Sequence, residues 1–470
     1  MKTYPLWSAK VAGVDASVSY KYVQLNKAGK VTESEKTMRK LPAGSVHTPN
    51  EFFGSRQSIY KIPMLPQAFE NKLVRNSPFF REGANENVVI ENVKIELAGH
   101  STREYAKLAY HLKFPEATPL LDLTSIKLRS GENDETMIRE KLYVDLLNNI
   151  GVPVQQKSYI RMFWNGVPID LFVAMEVQKE NWTRKALHPD IPKVQVGSLW
   201  KMKSCCEGAG NLEWKGPTIK NYNIDDNYKP MIKGQNVPKD NYMADLIALM
   251  KDLKDYDPSK TKDPVAYWEK RLDLDVFLKS MVMDYLTAAF DAYWIAGSNY
   301  QIYHDPVIKK WVWLPMDIDD TSGHSFWAQV ESYKKTPRPN KKGFESFLVT
   351  KLILDPPTIK AKLEDHLKTI TSYIFKPQAL NPRVDAYIHM IEEDVVSDRK
   401  LPRVAEGGKY YHFKLKDLYK GAKSDLKDWV KERSEQIQKD MKFKSLTVVT
   451  NRVPPHDMHP LQLSVYGIKP

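Results

Sequence analysis

Phe290-Asp291-Ala292-Tyr293, then Ser298-Asn299-Tyr300-Gln301-Ile302-Tyr303, then Trp311-Val312-Trp313-Leu314-Pro315-Met316-Asp317-Ile318-Asp319-Asp320-Thr321 form the stretch on which fold and chemistry turn. Two runs of β-branched and aromatic residues flank His304-Asp305-Pro306, a pattern that predicts a hairpin. A hairpin brings its two strand roots together, so Asp291, Asn299 and Asp317 become neighbours. Two acids and an amide meeting there suit one hard cation with oxygen ligands, magnesium first. Phosphoryl transfer needs the same parts: an Asp near the attacking hydroxyl, an Asn beside it, and an Asp holding metal against phosphates. Spacing alone leaves a second account open, in which Asp317, Asp319 and Asp320 are solvated loop acids and Asp291 caps a helix end.

Upstream, positive charge is available at Lys107, in a strand pattern, and at Lys127 and Arg129 on either side of Leu128. Phosphates need such donors; taken singly, each is equally a surface cation on an edge strand. Trp200, after Gly197-Ser198-Leu199, and Trp311 could sandwich a purine by stacking, with core packing as the default role for either ring.

Working outward, residues 1 to about 90 are β-rich, with Ser17 to Val23 and Val31 to Met38 alternating around Ala28-Gly29-Lys30 as a hairpin. Pro49, Pro63, Pro66 and Pro78 then break the pattern into a linker. A new sheet begins at Val88 and runs through Val93 to Leu97, Leu108 to Phe114 and Leu123 to Leu128. Ile138, Leu142, Leu146 and Ile150 mark a helix over 136–150, stopped by Gly151 and Pro153. Ser158 to Trp164 and Val167 to Val177 flank Asn165-Gly166, the strongest hairpin signal in the chain. Residues 207–240, loaded with Gly, Asn, Asp and Pro, read as a loop insertion, and helical patterns occupy about 240–256, 265–290, 357–374, 381–396 and 411–441.

Composition excludes several classes. The 470 residues are 42% hydrophobic and 27% charged with 30 Pro and 21 Gly, which fits a folded globular protein rather than a collagenous or disordered one. The net charge of +12 favours phosphate groups or acidic surfaces, but no arginine-rich arm, zinc-finger spacing or RNA-binding signature accompanies it, so nucleic acid is not an expected partner. No window is apolar enough for a transmembrane span, since Met281 to Gly297 carries Asp284 and Asp291, and neither a signal peptide nor a lipid-anchor signal is visible. Cys205 and Cys206 are adjacent and cannot staple distant segments. Asn181-Trp182-Thr183 is a glycosylation acceptor only if the chain is secreted. There is no GxxxxGK[ST] loop, complete GxGxxG, HExxH or GxSxG, and His389 lacks a partner histidine for a metal helix.

The chain resembles the CotH kinases. The resemblance rests on Ala98-Gly99-His100-Ser101-Thr102-Arg103 with Lys107, Lys127-Leu128-Arg129-Ser130 with Asp134, Met137-Ile138-Arg139 and Leu142, and Gly151-Val152-Pro153. It continues through Tyr159-Ile160-Arg161, Asn165-Gly166, Leu171-Phe172, Glu176, Gly197 to Lys201, Asp291, Asn299-Tyr300 and Pro315 to Asp319. Pro5-Leu6-Trp7, Val18 to Tyr22 and Asn50-Glu51-Phe52-Phe53 are similar to the fungal branch of that family.

What this implies is an α+β, two-lobed atypical protein-kinase-like domain preceded by a small β-sandwich-like module. The expected divisions are 1–88 for that module and linker, 89–206 for a β-rich N-lobe, 207–264 for the insertion and a connecting helix, 265–445 for a helical C-lobe, and 446–470 for a tail. The resemblance makes Asp291 the catalytic acid, assisted by Asn299, and Asp317 the metal-binding acid, assisted by Asp319. Lys107, Lys127, Arg129 and Glu176 would serve the nucleotide, with Trp200 and Trp311 flanking adenine. The cofactors implied are ATP with Mg2+ or Mn2+, and the partner is a protein with a Ser or Thr acceptor. Fungal relatives add a second implied role, that of a cell-surface adhesin or invasin engaging a host-cell receptor; the location implied is cell surface, secreted or spore coat. Trp200 stands where the family usually has Tyr, and Met316 where it usually has Trp.

Overall fold

The computed structural model describes residues 92–322 and 349–443, apart from short interruptions, and four short strands between residues 18 and 41. The chain divides into two compact units, the N-terminal strands in one and residues 92–443 in the other. In the first, β1 (Val18–Tyr20) pairs with β4 (Arg39–Leu41) and β2 (Val23–Leu25) with β3 (Val31–Ser34), all antiparallel. The sandwich expected over 1–88 lies outside the described residues.

The second unit is α+β. Its first sheet has the order β5-β6-β7-β9-β8, built from β5 (Lys94–Ala98), β6 (Ala109–Lys113), β7 (Ser125–Arg129), β8 (Lys157–Trp164) and β9 (Val167–Glu176), every pair antiparallel. Trp164 pairs with Val167, leaving two residues, Asn165 and Gly166, for the turn that such a hairpin demands. Because side chains alternate along a strand, the register sorts this sheet into two faces. Tyr110, Leu128 and Ala174 share one, His111, Lys127 and Met175 the other. The first face forms a small cluster of Tyr110, Ile126, Leu128, Phe172 and Ala174; the second carries Lys127 and Arg129 and sends Tyr159, Leu171 and Val173 into the main core.

After β9 come the helix Glu180–Leu187 and then β10 (Leu199–Met202), the two-residue strands β11 (Ser204–Cys205) and β12 (Gly208–Ala209), and β13 (Tyr228–Ile232). β10 and β13 join β14 (Tyr300–Asp305) and β15 (Lys310–Pro315) in a second antiparallel sheet, ordered β13-β10-β14-β15, while β11 and β12 pair with each other. Residues 207–240 are therefore more than the loop their composition predicts. Their polar residues do make turns, with Asn223 Oδ1 accepting from the Asp225 and Asp226 amides, but Leu212, Tyr222 and Tyr228 anchor the segment in the main core and let β13 join the sheet.

Helices fill the rest. The expected helix over 265–290 is two, Pro264–Glu269 and Leu274–Thr287, because Leu272 bridges to Trp311 between them. There Trp311 donates its amide to Arg271 O and accepts from the Asp273 amide, and the Asp273 side chain then caps the second helix through the Val276 amide. Leu274–Thr287 is buried around nearly its whole circumference and ends at Ala288 in a left-handed conformation. Pro357–Tyr373, Pro377–Asp398, and a run from Leu415 through a π-helical stretch to Asp440 surround it. Among the described residues no helix is long and apolar enough to cross a membrane.

Candidate active site

The β14–β15 register pairs Tyr300 with Pro315, so Asn299 and Met316 meet just beyond the strand roots, where the Met316 amide donates to Asn299 O at 3.2 Å. Asn299 and Asp317 both have φ of 54°, a left-handed conformation that Asn and Asp tolerate best among residues with a Cβ. The chain thus turns sharply at both roots. Asn299 Nδ2 donates to the backbone oxygen of Asp291 at 2.9 Å and to its carboxylate at 2.5 Å, fixing the acid that follows the central helix.

Facing this hairpin, the end of β7 brings Arg129 into the acids. Its guanidinium donates to Asp317 and Asp319 and pairs with Glu140 at 3.2 Å. Asp319 also accepts from Asn133 at 3.1 Å, and Glu140 pairs with Lys157 on β8. Carboxylate oxygens of Glu140, Asp317 and Asp319 lie within 4.8 Å of one another. This donor set is hard oxygen, as magnesium or manganese requires. Asp317 Oδ2 and Asp319 Oδ1 carry no hydrogen bond or ion pair among the described residues, so they are the atoms left to hold a cation.

Electrostatics separates the acids. Burial pushes the Asp317 carboxyl up, but Arg129, Lys127 and Lys201 outweigh it and hold the group well below the usual carboxylate range. Asp291 behaves oppositely. Its side chain reaches solvent, yet the protein packed about it desolvates it in part, and with the charges of Asp317 and Asp319 this pushes it up to about 6 against the pull of Asn299 and Lys203. One carboxylate stays ionised for a metal while its neighbour titrates near neutrality, the division of labour expected of a metal ligand and a general base.

The sequence-predicted residues fall into two groups. Arg129, Asp317 and Asp319 touch, Asn299 holds Asp291, and Lys127 lies within electrostatic reach of Asp317. Four others go elsewhere. Lys107 is 1% exposed and donates to Leu171 O and Asp398. Glu176 projects from β9 on the face opposite Met175, the cross-strand neighbour of Lys127, and its carboxylate accepts from Trp182 Nε1 and the Gln156 amide. Trp200 is fully buried and stacked on Tyr242, and Trp311 is 5% exposed and stacked on His304, so the expected purine sandwich is not what these rings form here. Glu140, Asn133, Lys157 and Lys201 were not anticipated. The available signal was an acid in the first turn of the helix Arg139–Asn149, predicted to follow directly on the strand bearing Lys127 and Arg129.

A buried acid ties these parts together. Asp284, in the last turns of the central helix, accepts from Tyr143 Oη at 2.7 Å and from the Trp294 amide at 3.3 Å. Tyr143 is three residues beyond Glu140 on one helix, and Trp294 is three beyond Asp291.

Invasin CotH2 of Rhizopus delemar is 26% identical over 359 residues, covering 70% of this chain and 56% of its own. Invasin CotH3 of the same organism is 25% identical over 444 residues, 84% of this chain and 70% of its own. Spore coat protein homolog 1, also of Rhizopus delemar, is 25% identical over 305 residues, 64% of this chain and 47% of its own, so the chain spans between 47% and 70% of the length of these three relatives. Among solved structures, the crystal structure of a Helicobacter pylori proinflammatory kinase CtkA aligns with 76% of this chain and 96% of its own at 11% identity and a TM-score of 0.21, a weak likeness. The family model described as CotH kinase protein matches residues 95–437, from β5 to the last helix and across every acid and cation named above, and the chain belongs to that family.

Proposed function

We propose that this chain is an atypical protein kinase that transfers the γ-phosphate of ATP to a Ser or Thr hydroxyl of a protein at the cell surface or in a coat, using Mg2+ or Mn2+. The observation that carries the reading is the meeting of an Asn299-held Asp291 with the Arg129-bridged Asp317, Asp319 and Glu140. In this reading residues 89–206 form the lobe that covers the nucleotide and 265–445 the lobe that carries the catalytic hairpin, joined by 207–264 and followed by the tail 446–470. Asp317 Oδ2 and Asp319 Oδ1, with Glu140 beside them, would hold the metal, which when bound neutralises charge on the transferring phosphoryl group. Lys127, Arg129 and Lys201 offset the remaining phosphate charge. Asp291 accepts the hydroxyl proton as the new oxygen–phosphorus bond forms and the bond to the departing diphosphate breaks. Incubating the purified chain with ATP, magnesium and candidate acceptors, then locating phosphate by mass spectrometry, tests this; no transfer with either metal removes it.

Asp291 gives a pH signature. Only its ionised form accepts a proton, so kcat/KM is expected to rise with pH, reach half its plateau near pH 6 and level off above. Asp291→Asn is expected to lose that limb and about a hundredfold or more in rate. The same substitution has a stability consequence of opposite sign. A folded value above that of an unfolded Asp means the ionised carboxylate opposes folding, a penalty absent below about pH 4, growing between about 4 and 6 and complete above. Asp291→Asn therefore raises Tm at pH 7 and leaves it unchanged at pH 4; an equal shift at both values removes the assignment.

That the relatives are invasins favours a second reading, an invasin-like adhesin that binds a host-cell receptor. It predicts that the purified chain adheres to host cells and that Asp317→Ala adheres equally well; failure of the parent chain to adhere removes it.

A further inference from the structure

Beside the acids stands a set of cations that make no direct ion pair with them among the described residues. Lys201 on β10 sits directly opposite Lys229 on β13 in the antiparallel register, and like charges so placed oppose pairing. Lys203 follows β10, Lys127 lies on β7, and Lys179 precedes the helix Glu180–Leu187. Among the described residues none of these five ammonium groups forms an ion pair or hydrogen bond. Elsewhere exposed lysines do find acids, as Lys260 does with Asp257 at 2.8 Å and Lys362 with Glu269 at 3.2 Å.

The five form one continuous field. Lys201 feels Lys203, Lys127 and Lys229, and Lys179 feels Lys229 in turn. Desolvation pushes Lys127, Lys179 and Lys201 down, the last to about 8, and the more distant charges of Asp317 on the first and last and of Glu96 on Lys179 offset it only in part. At one end Lys203 lies within electrostatic reach of Asp291. At the other, Lys229 is exposed on β13, the outer strand of its sheet and two strands away from the β14–β15 hairpin. A triphosphate held at Asp317 and Arg129 accounts for Lys127 and Lys201. It leaves Lys179, Lys203 and Lys229 without a purpose.

We propose that this lysine stripe docks an acidic polypeptide segment and delivers its Ser or Thr to Asp291. The delivery rests on the kinase reading above; the docking does not. Acidic residues flanking the acceptor would replace the missing carboxylates, with Lys203 nearest the hydroxyl and Lys229 and Lys179 farther along the segment.

The test uses the full chain, a fluorescein-labelled short peptide with one Ser flanked by Glu, and its Lys-flanked counterpart, read by anisotropy. The Glu-flanked peptide is expected to bind at least about tenfold more tightly, with affinity falling as salt is added. Lys179→Ala with Lys229→Ala is expected to weaken it about tenfold while ATP affinity and the melting curve stay unchanged, and the two Lys→Arg replacements restore binding. No preference between the peptides overturns the proposal, as does a parallel loss of ATP affinity in the double variant, which would make the stripe part of the nucleotide site. Tighter binding of single-stranded RNA than of the acidic peptide also overturns it. Charge-dependent binding without phosphate transfer supports the docking surface and counts against the kinase reading alone.

Discussion

Replacing Asp317 with alanine is expected to abolish the metal dependence of nucleotide binding and to cut phosphotransfer about a thousandfold, the effect of losing about 4 kcal/mol of transition-state stabilisation. The carboxylate has two jobs. Its Oδ1 balances Arg129, while its Oδ2 is open toward a cation. Arg129, Lys127 and Lys201 keep it ionised against its burial, so it offers full negative charge to a metal at any physiological pH. Removing it leaves those three cations facing each other across the cleft with one acid fewer. The result differs from a simple loss of affinity. Metal-free ATP is expected to bind at least as tightly as to the parent chain, because positive charge is newly uncovered, whereas added magnesium no longer strengthens binding. Calorimetric titration with and without magnesium separates the two, and an unchanged magnesium effect would show that Asp317 is not the metal's ligand.

How much of this was legible in the sequence depends on which elements are local. The β14–β15 hairpin and the β8–β9 hairpin each announce themselves through strand runs around a turn, and the acids at the first hairpin's roots follow from its closure. Glu140 and Lys201 do not, because each reaches the site from a separate element whose docking no spacing encodes. Burial is likewise invisible in a residue's name. Trp200 and Trp311 carry flat rings fit for a base, but a tryptophan in a central sheet is equally a core residue, and Tyr242 and His304 take the stacking faces. The helix break at Leu272 was missed because it depends on a bridge to Trp311, some forty positions on, which no local propensity records. The segment 207–240 misled for a related reason: its turn residues outnumber the apolar anchors, Leu212, Tyr222, Tyr228 and Ile232, that decide its place.

Lys107 is the sequence-predicted phosphate ligand that the structure puts to other use, and its partner yields the largest expected loss of stability. Asp398, at the end of the helix Pro377–Asp398, accepts from Lys107 Nζ at 2.8 Å, from the Leu171 amide at 2.9 Å and from Arg403 at 3.2 Å. One carboxylate thus ties the first sheet to the helical half of the unit. The side chains of Lys107 and Asp398 are 1% and 3% exposed, so screening by solvent offers little relief when one is removed. Asp398→Ala takes the carboxylate from a buried ammonium that keeps Leu171 O at 2.6 Å and the Phe172 ring among its contacts, and is expected to cost about 3–5 kcal/mol in urea unfolding. Arg403 keeps Glu132 at 3.4 Å and loses less. Adding Lys107→Met removes that buried charge, so the double variant is expected to recover most of the loss, since an apolar pair of similar volume often replaces a buried ion pair at little cost. If instead Lys107 serves the nucleotide, Lys107→Met alone weakens ATP binding while the single Asp398→Ala variant, once folded, binds ATP more tightly through the freed ammonium. Equal unfolding free energies for the single and double variants would show that the strut lies elsewhere. ATP affinity unaffected by either change, alongside the predicted stability pattern, would assign Lys107 to holding the lobes together rather than to chemistry.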